Sequence, residues 1–163
     1  MLHLAHGVIR LDPEASLAVR LVVIDTELTE LVARYQPDVG SVETLFFHKD
    51  AQAAAKLGHA RGVVLAALAR AGVEVAEYAP AHVKRTVAGR GQASKQQVAL
   101  MVRAVLALDE MPRNDATDAL ALAVTHLRVA SLQLGASARR RAPTTRKSGQ
   151  ARLRALVAAQ ARR

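Results

Sequence analysis

The stretch YQPDVGSVETLFF, residues 35–47, decides the fold class. Pro37 cannot continue a helix, because it has no amide proton and its ring clashes with the preceding turn. The residues from Val39 to Thr44 are rich in β-branched side chains and predict a short strand that ends at Glu43. Upstream, Leu17, Leu21, Ile24, Leu28 and Leu31 recur at helical spacing up to about Tyr35, with Arg20, Glu27 and Glu30 toward solvent. Downstream, an alanine-rich helix is predicted from about Asp50 to Ala71, carrying Gly58 and Gly62. Helices alternating with strands indicate an α/β domain.

The flanking segments extend this pattern. LHLAHGVIR, residues 2–10, reads as a short strand, and Asp12 followed by Pro13 reads as a helix start with Asp as N-cap. GVEVAEYAP, residues 72–80, is a strand bounded by Gly72 and Pro80. A short helix, PAHVKRTV, leads into the loop AGRGQ, and two further helices are expected at about Ser94 to Leu108 and Asp115 to Ser131. Three strands are few for 163 residues.

Composition narrows the class. With 51% hydrophobic residues but only 2% aromatic ones, the core must be built from Ala, Leu and Val. The absence of cysteine excludes disulfides, thiolate metal sites and cysteine nucleophiles, and fits a reducing compartment. No segment reaches the roughly 18 uninterrupted apolar residues of a membrane span, so a cytoplasmic protein is expected. The net charge of +9 resides in the tail: residues 137–163 hold nine basic residues and no acidic one. A polyanionic partner follows, nucleic acid more readily than a membrane, because the tail lacks large apolar anchors. The expected division is a folded domain over 1–132 and a basic, disordered tail over 133–163.

RNDATDALALAVTHL, residues 113–127, places Asp115 and Asp118 at the front of an apolar helix. Spaced three apart, they share one helical face. Glu43 is a third conspicuous carboxylate, at the end of a strand. Two readings fit. Asn114 or Asp115 caps the helix, Asp118 sits in the favourable field of its N-terminus and Glu43 is exposed at a strand end. Alternatively the three carboxylates converge on a hard divalent cation, Mg²⁺ or Mn²⁺.

SVETLFFHKDAQAAAKLGHARGVV, PAHVKRTVAGRGQASKQQVALMV and NDATDALALAVTH occur in the order and at about the separations of the bacterial RuvC family of Holliday-junction resolvases, which the chain resembles over roughly residues 2–130. The resemblance implies a ribonuclease H-like mixed sheet flanked by helices. It also implies a homodimeric, Mg²⁺-dependent endonuclease that nicks two like strands of a four-way DNA junction, working with the branch-migration complex RuvA and RuvB. By this match Glu43, Asp115 and Asp118 are catalytic metal ligands for two ions, and Phe46 stacks on unpaired junction bases. Lys84 and Lys95 approach the phosphate backbone, and Arg61, Arg85 and Arg90 add to that surface. Gly58 and Gly62 line either the dimer interface or a helix-on-sheet contact within the monomer. His126 is expected to be packed rather than a ligand, and His48 is an exposed loop residue.

One family motif is absent: a strand ending in Gly-Ile-Asp-Pro-Gly, whose aspartate bridges both metals. The sequence begins near what would be the third strand, so the expectation is a longer protein, with a noncatalytic junction- or DNA-binding homologue as the alternative. Asp12 follows the wrong strand to replace that aspartate and is read as an N-cap only.

Overall fold

The computed structural model describes residues 1–44 and 51–138. Its elements run α1 (Leu17–Tyr35), β1 (Val39–Glu43), α2 (Ala51–Arg70), β2 (Glu74–Tyr78), α3 (Pro80–Ala88), α4 (Lys95–Leu106) and α5 (Asn114–Ala138). The expected α/β class is observed, and the strand read from residues 39–44 is β1. Among the described residues the sheet has two parallel strands, with Val39 opposite Glu74 and Glu43 opposite Tyr78.

Two sequence expectations are corrected at the N-terminus. Residues 2–10 have no regular structure, and Leu2 and Leu4 are 83% and 73% exposed. A strand is stabilised by its ladder, and no described strand runs beside this segment. The helix also begins later than Asp12–Pro13. Ser16 is the N-cap of α1, its hydroxyl accepting from Val19 N–H, while the Asp12 carboxylate accepts from Glu14 N–H at 2.9 Å. Asp12 thus closes a local turn ahead of the helix. At the other end α5 runs past Ser131 to Ala138.

Side-chain alternation along the strands assigns the two faces of the sheet. Gly40 faces α2: a Cβ there would lie 2.7 Å from Leu68 Cδ1, so glycine lets the buried Leu68 seat against the strand. Glu77, paired with Val42, reaches Arg61 of α2 on the same face. Glu43 and Tyr78 therefore point to the opposite face, where α5 lies against β1 and Tyr78 meets His126. α1 lies on α2, outside the sheet.

The main core is aliphatic, as the composition requires. Val83 and Val87 of α3, Ala93, Val98 and Val102 of α4 and its approach, and Leu120, Ala121 and Val124 of α5 form one cluster. Burial of such side chains contributes on the order of 25 cal/mol per Å² of apolar surface, which makes this cluster the main source of stability for the α3–α4–α5 unit. Gly89, at φ 79°, ends α3 in the left-handed conformation and donates its N–H to Arg85 O.

Candidate functional site

The predicted residues come to the site by separate routes. Glu43 is the last residue of β1 and is exposed. Its position follows from the strand period, which turns it toward the α5 face. Asp115 stands in the first turn of α5 and Asp118 one turn on, and both are exposed. Neither the Asn114 nor the Asp115 side chain caps the helix by a hydrogen bond among the described residues. The start of α5 is instead held by Thr117, buried, whose hydroxyl donates to Arg113 O at 3.1 Å and Pro112 O at 3.3 Å. Both carboxylates still stand in the first turns of α5, where the field at the helix N-terminus favours negative charge, and neither is hydrogen-bonded to another described residue.

Lys95 is placed by its neighbours. Ser94 and Gln97 form a reciprocal cap: Gln97 N–H donates to Ser94 Oγ at 3.2 Å and Ser94 N–H to Gln97 Oε1 at 3.0 Å. This fixes Lys95 at the first position of α4. The N-terminal ends of α4 and α5 then flank an open cleft of about 510 Å³ whose lining includes Lys95, Leu100, Met111, Asn114 and Asp118. A cation and a carboxylate that are far apart in sequence thus share one cleft. Lys84 is half-buried on α3, while Arg85 and Arg90 are exposed.

The three carboxylates make no ion pair with another described residue. Exposed, uncompensated carboxylates are hard oxygen donors of the kind a divalent cation accepts, so the donor chemistry fits. The geometry is incomplete: among the described residues no three His, Cys, Asp or Glu side chains are grouped to hold a metal ion. Phe46 and His48 lie outside the described residues, as does the basic tail beyond residue 138.

Sequence reasoning missed the polar bridge behind this site. The Tyr78 hydroxyl is hydrogen-bonded to Nδ1 of His126 at 2.9 Å, and the His82 ring stacks on Tyr78 at 5.7 Å between centroids. His126 is thus a packed residue, as expected, but one that ties the end of β2 to the helix carrying both aspartates. Burial raises the Tyr78 phenol above its ordinary 10.0. The folded state therefore disfavours the phenolate. Its contribution to stability is full below pH 10.0 and is lost as pH rises through the folded value. Tyr78→Phe should lower stability at neutral pH by about 1 kcal/mol, from the lost hydrogen bond, and should flatten the alkaline fall in Tm. Thermal melts of both proteins from pH 7 to pH 11 check this; parallel curves would show that Tyr78 ionisation is uncoupled from folding.

Arg61 also differs from its expected place on a basic surface. Its side chain is only 17% exposed, Nη1 donates to the backbone carbonyl of Glu43 at 2.8 Å, and Nη2 pairs with the Glu77 carboxylate. Both partners are more than fifteen residues away in sequence, which left no local signal.

Residues 1–126 match the family model described as crossover junction endodeoxyribonuclease RuvC. A protein of that name from Sorangium cellulosum is 61% identical over 128 residues, covering 78% of this chain and 72% of its own. Another, from Halorhodospira halophila, is 48% identical over 131 residues, covering 80% of this chain and 78% of its own. The solved structure of Thermus thermophilus RuvC is similar at a TM-score of 0.73 and 40% identity, covering 80% of this chain and 79% of that one. The same protein solved in complex with a Holliday junction substrate gives a TM-score of 0.76 at 40% identity, with the same coverage.

Proposed function

The chain belongs to the RuvC family of crossover junction endodeoxyribonucleases, hydrolases of ribonuclease H-like fold, and from that premise we propose that it resolves four-way (Holliday) DNA junctions by paired nicks during recombination and repair. The observation that carries the proposal is the cleft shared by Lys95 and Asp118, which offers a phosphate a cation on one wall and a metal-ligating carboxylate on the other.

Glu43, Asp115 and Asp118 would hold Mg²⁺, with Mn²⁺ as the alternative of similar oxygen preference. When bound, such ions lower the pKa of the attacking water and stabilise the departing 3′ oxygen. The chain's own contribution is placement: β1 presents Glu43 toward the α5 face, and the cap of α4 fixes Lys95 at the start of a helix whose cleft Asp118 also lines. Lys84 and Lys95 meet backbone phosphates, and Phe46 stacks on unpaired bases at the crossover.

The proposed partners are junction DNA, a second copy of the chain, and RuvA and RuvB, acting together in the cytoplasm. No helix among the described residues is long and apolar enough to cross a membrane. A dimer interface along α2 is supported by the open space at Gly58 and Gly62, where an added Cβ would meet nothing within 4 Å. Helix-on-sheet packing at these glycines has no contact among the described residues.

The ungrouped carboxylates favour one second reading, a homologue that binds junctions without cutting them. A synthetic four-way junction incubated with the chain and Mg²⁺ separates the two. Symmetric nicks in two like strands are expected, with linear duplex of the same sequence uncut. Retention of the junction in a gel shift without nicks would establish the binding homologue.

A further inference from the structure

We propose that Arg61 is a positioning residue for Glu43, fixing the end of β1 rather than contacting DNA. The inference rests on the reading of Glu43 as a catalytic carboxylate. In a parallel pair only alternate residues of a strand bond to a given neighbour. Thr44 N–H donates to Tyr78 O at 3.0 Å and the Thr44 hydroxyl reaches the same oxygen at 3.4 Å, so Thr44 is tied to β2. The Glu43 carbonyl, one residue earlier, points away from that ladder and needs another donor. Arg61 supplies it from α2, at 2.8 Å.

The second arm of the guanidinium makes the contact directional. Nη2 is held by the Glu77 carboxylate of β2, on the strand beside β1. One planar fork therefore joins the helix, the neighbouring strand and the backbone of Glu43, a geometry that a lysine's single ammonium cannot reproduce. With both arms engaged and the side chain 17% exposed, little of the guanidinium is left for a phosphate. The last peptide of β1 is held on both sides, and the direction of the Glu43 side chain is set by that peptide.

The test compares Arg61→Gln, Arg61→Lys and Glu77→Gln with the unsubstituted chain in three readouts. Hydrogen exchange at Thr44 N–H should speed up at least tenfold in Arg61→Gln, with little change at Gly40 to Val42. Junction affinity should stay within twofold, with an unchanged slope against salt. Single-turnover cleavage at saturating junction should fall by about 10- to 100-fold, as expected for a reacting group displaced by an ångström or less. Glu77→Gln, which keeps the carbonyl contact, should lose only a few-fold, and Arg61→Lys should not restore the rate. A salt slope reduced by about 0.9 would make Arg61 a phosphate contact and overturn the proposal. Unchanged exchange at Thr44, or undiminished cleavage, would overturn it as well. Should Arg61→Gln unfold, Arg61→Lys and Glu77→Gln carry the same comparison. Glu43→Gln separates the failures: if that variant cleaves normally, the reading of Glu43 falls, whatever the exchange at Thr44 shows of the clamp.

Discussion

Asp118→Asn should lower junction cleavage at saturating Mg²⁺ by about a thousandfold, the loss expected when several kcal/mol of metal-borne transition-state stabilisation disappears. The substitution keeps the size of the side chain, removes its charge and replaces one acceptor oxygen by a donating NH₂ group. Asp118 is exposed and makes no ion pair with another described residue, so folding should be indifferent to the change. Junction affinity should stay within a few-fold, because the cationic Lys95 on the same cleft is unchanged and one negative charge is gone from it. Single-turnover cleavage, gel-shift affinity and a thermal melt on the same preparation check the three parts. Cleavage at the original rate would remove Asp118 from the ligand set and leave the cleft as a binding surface alone. A parallel loss of affinity and melting temperature would make the residue structural.

The elements that were legible in the sequence are those whose signals are local. Pro37 and the β-branched run after it defined β1, and the apolar spacing before it defined α1. The helix expected from about Ser94 is observed as α4, and the structure adds the reciprocal cap between Ser94 and Gln97. The strand expected at residues 2–10 failed because alternation of apolar residues describes a segment able to pair and says nothing of whether a partner lies beside it. The helix start at Asp12–Pro13 failed for a related reason. Asp, Pro and Ser all occur within five residues there, and Asp12 forms a turn while Ser16 caps the helix. In the candidate site, residue type and spacing singled out Asp115, Asp118 and Glu43, the family resemblance alone pointed to Lys95, and the fold supplied the cleft lined by both Lys95 and Asp118. Arg61 and the Tyr78–His126 bridge depend on pairs brought together only by tertiary packing. The carboxylates also show how far pattern reaches: a shared helical face relates Asp115 to Asp118, whereas among the described residues the pair is not grouped with Glu43.

Val102→Asp should destabilise the chain at neutral pH by about 4 kcal/mol or more, a large share of the total of about 5–15 for a domain of ordinary stability. Val102 is 0% exposed and belongs to the cluster of Val83, Val87, Val98, Leu120, Ala121 and Val124, which offers an ionised carboxylate neither a cation nor a donor side chain. Burial there disfavours the charged form, so the folded-state pKa of the introduced carboxyl would lie above its unfolded value of about 3.9. By linkage the penalty is smallest where the carboxyl is protonated in both states and grows as pH rises. The variant should therefore be most stable near pH 4 and progressively less stable toward pH 7, its urea midpoint falling as the pH rises. Val102→Ala, which deletes volume without adding charge, should cost about 2 kcal/mol with no such pH dependence. Urea titrations of both variants at the two pH values check the pair. The same core joins α4 to α5, and those two helices carry Lys95 and Asp118 to opposite walls of the cleft. A Val102→Asp variant as stable at pH 7 as the unsubstituted chain would mean that α4 and α5 are not packed as described, and the cleft that supports the proposed reaction would lose its walls.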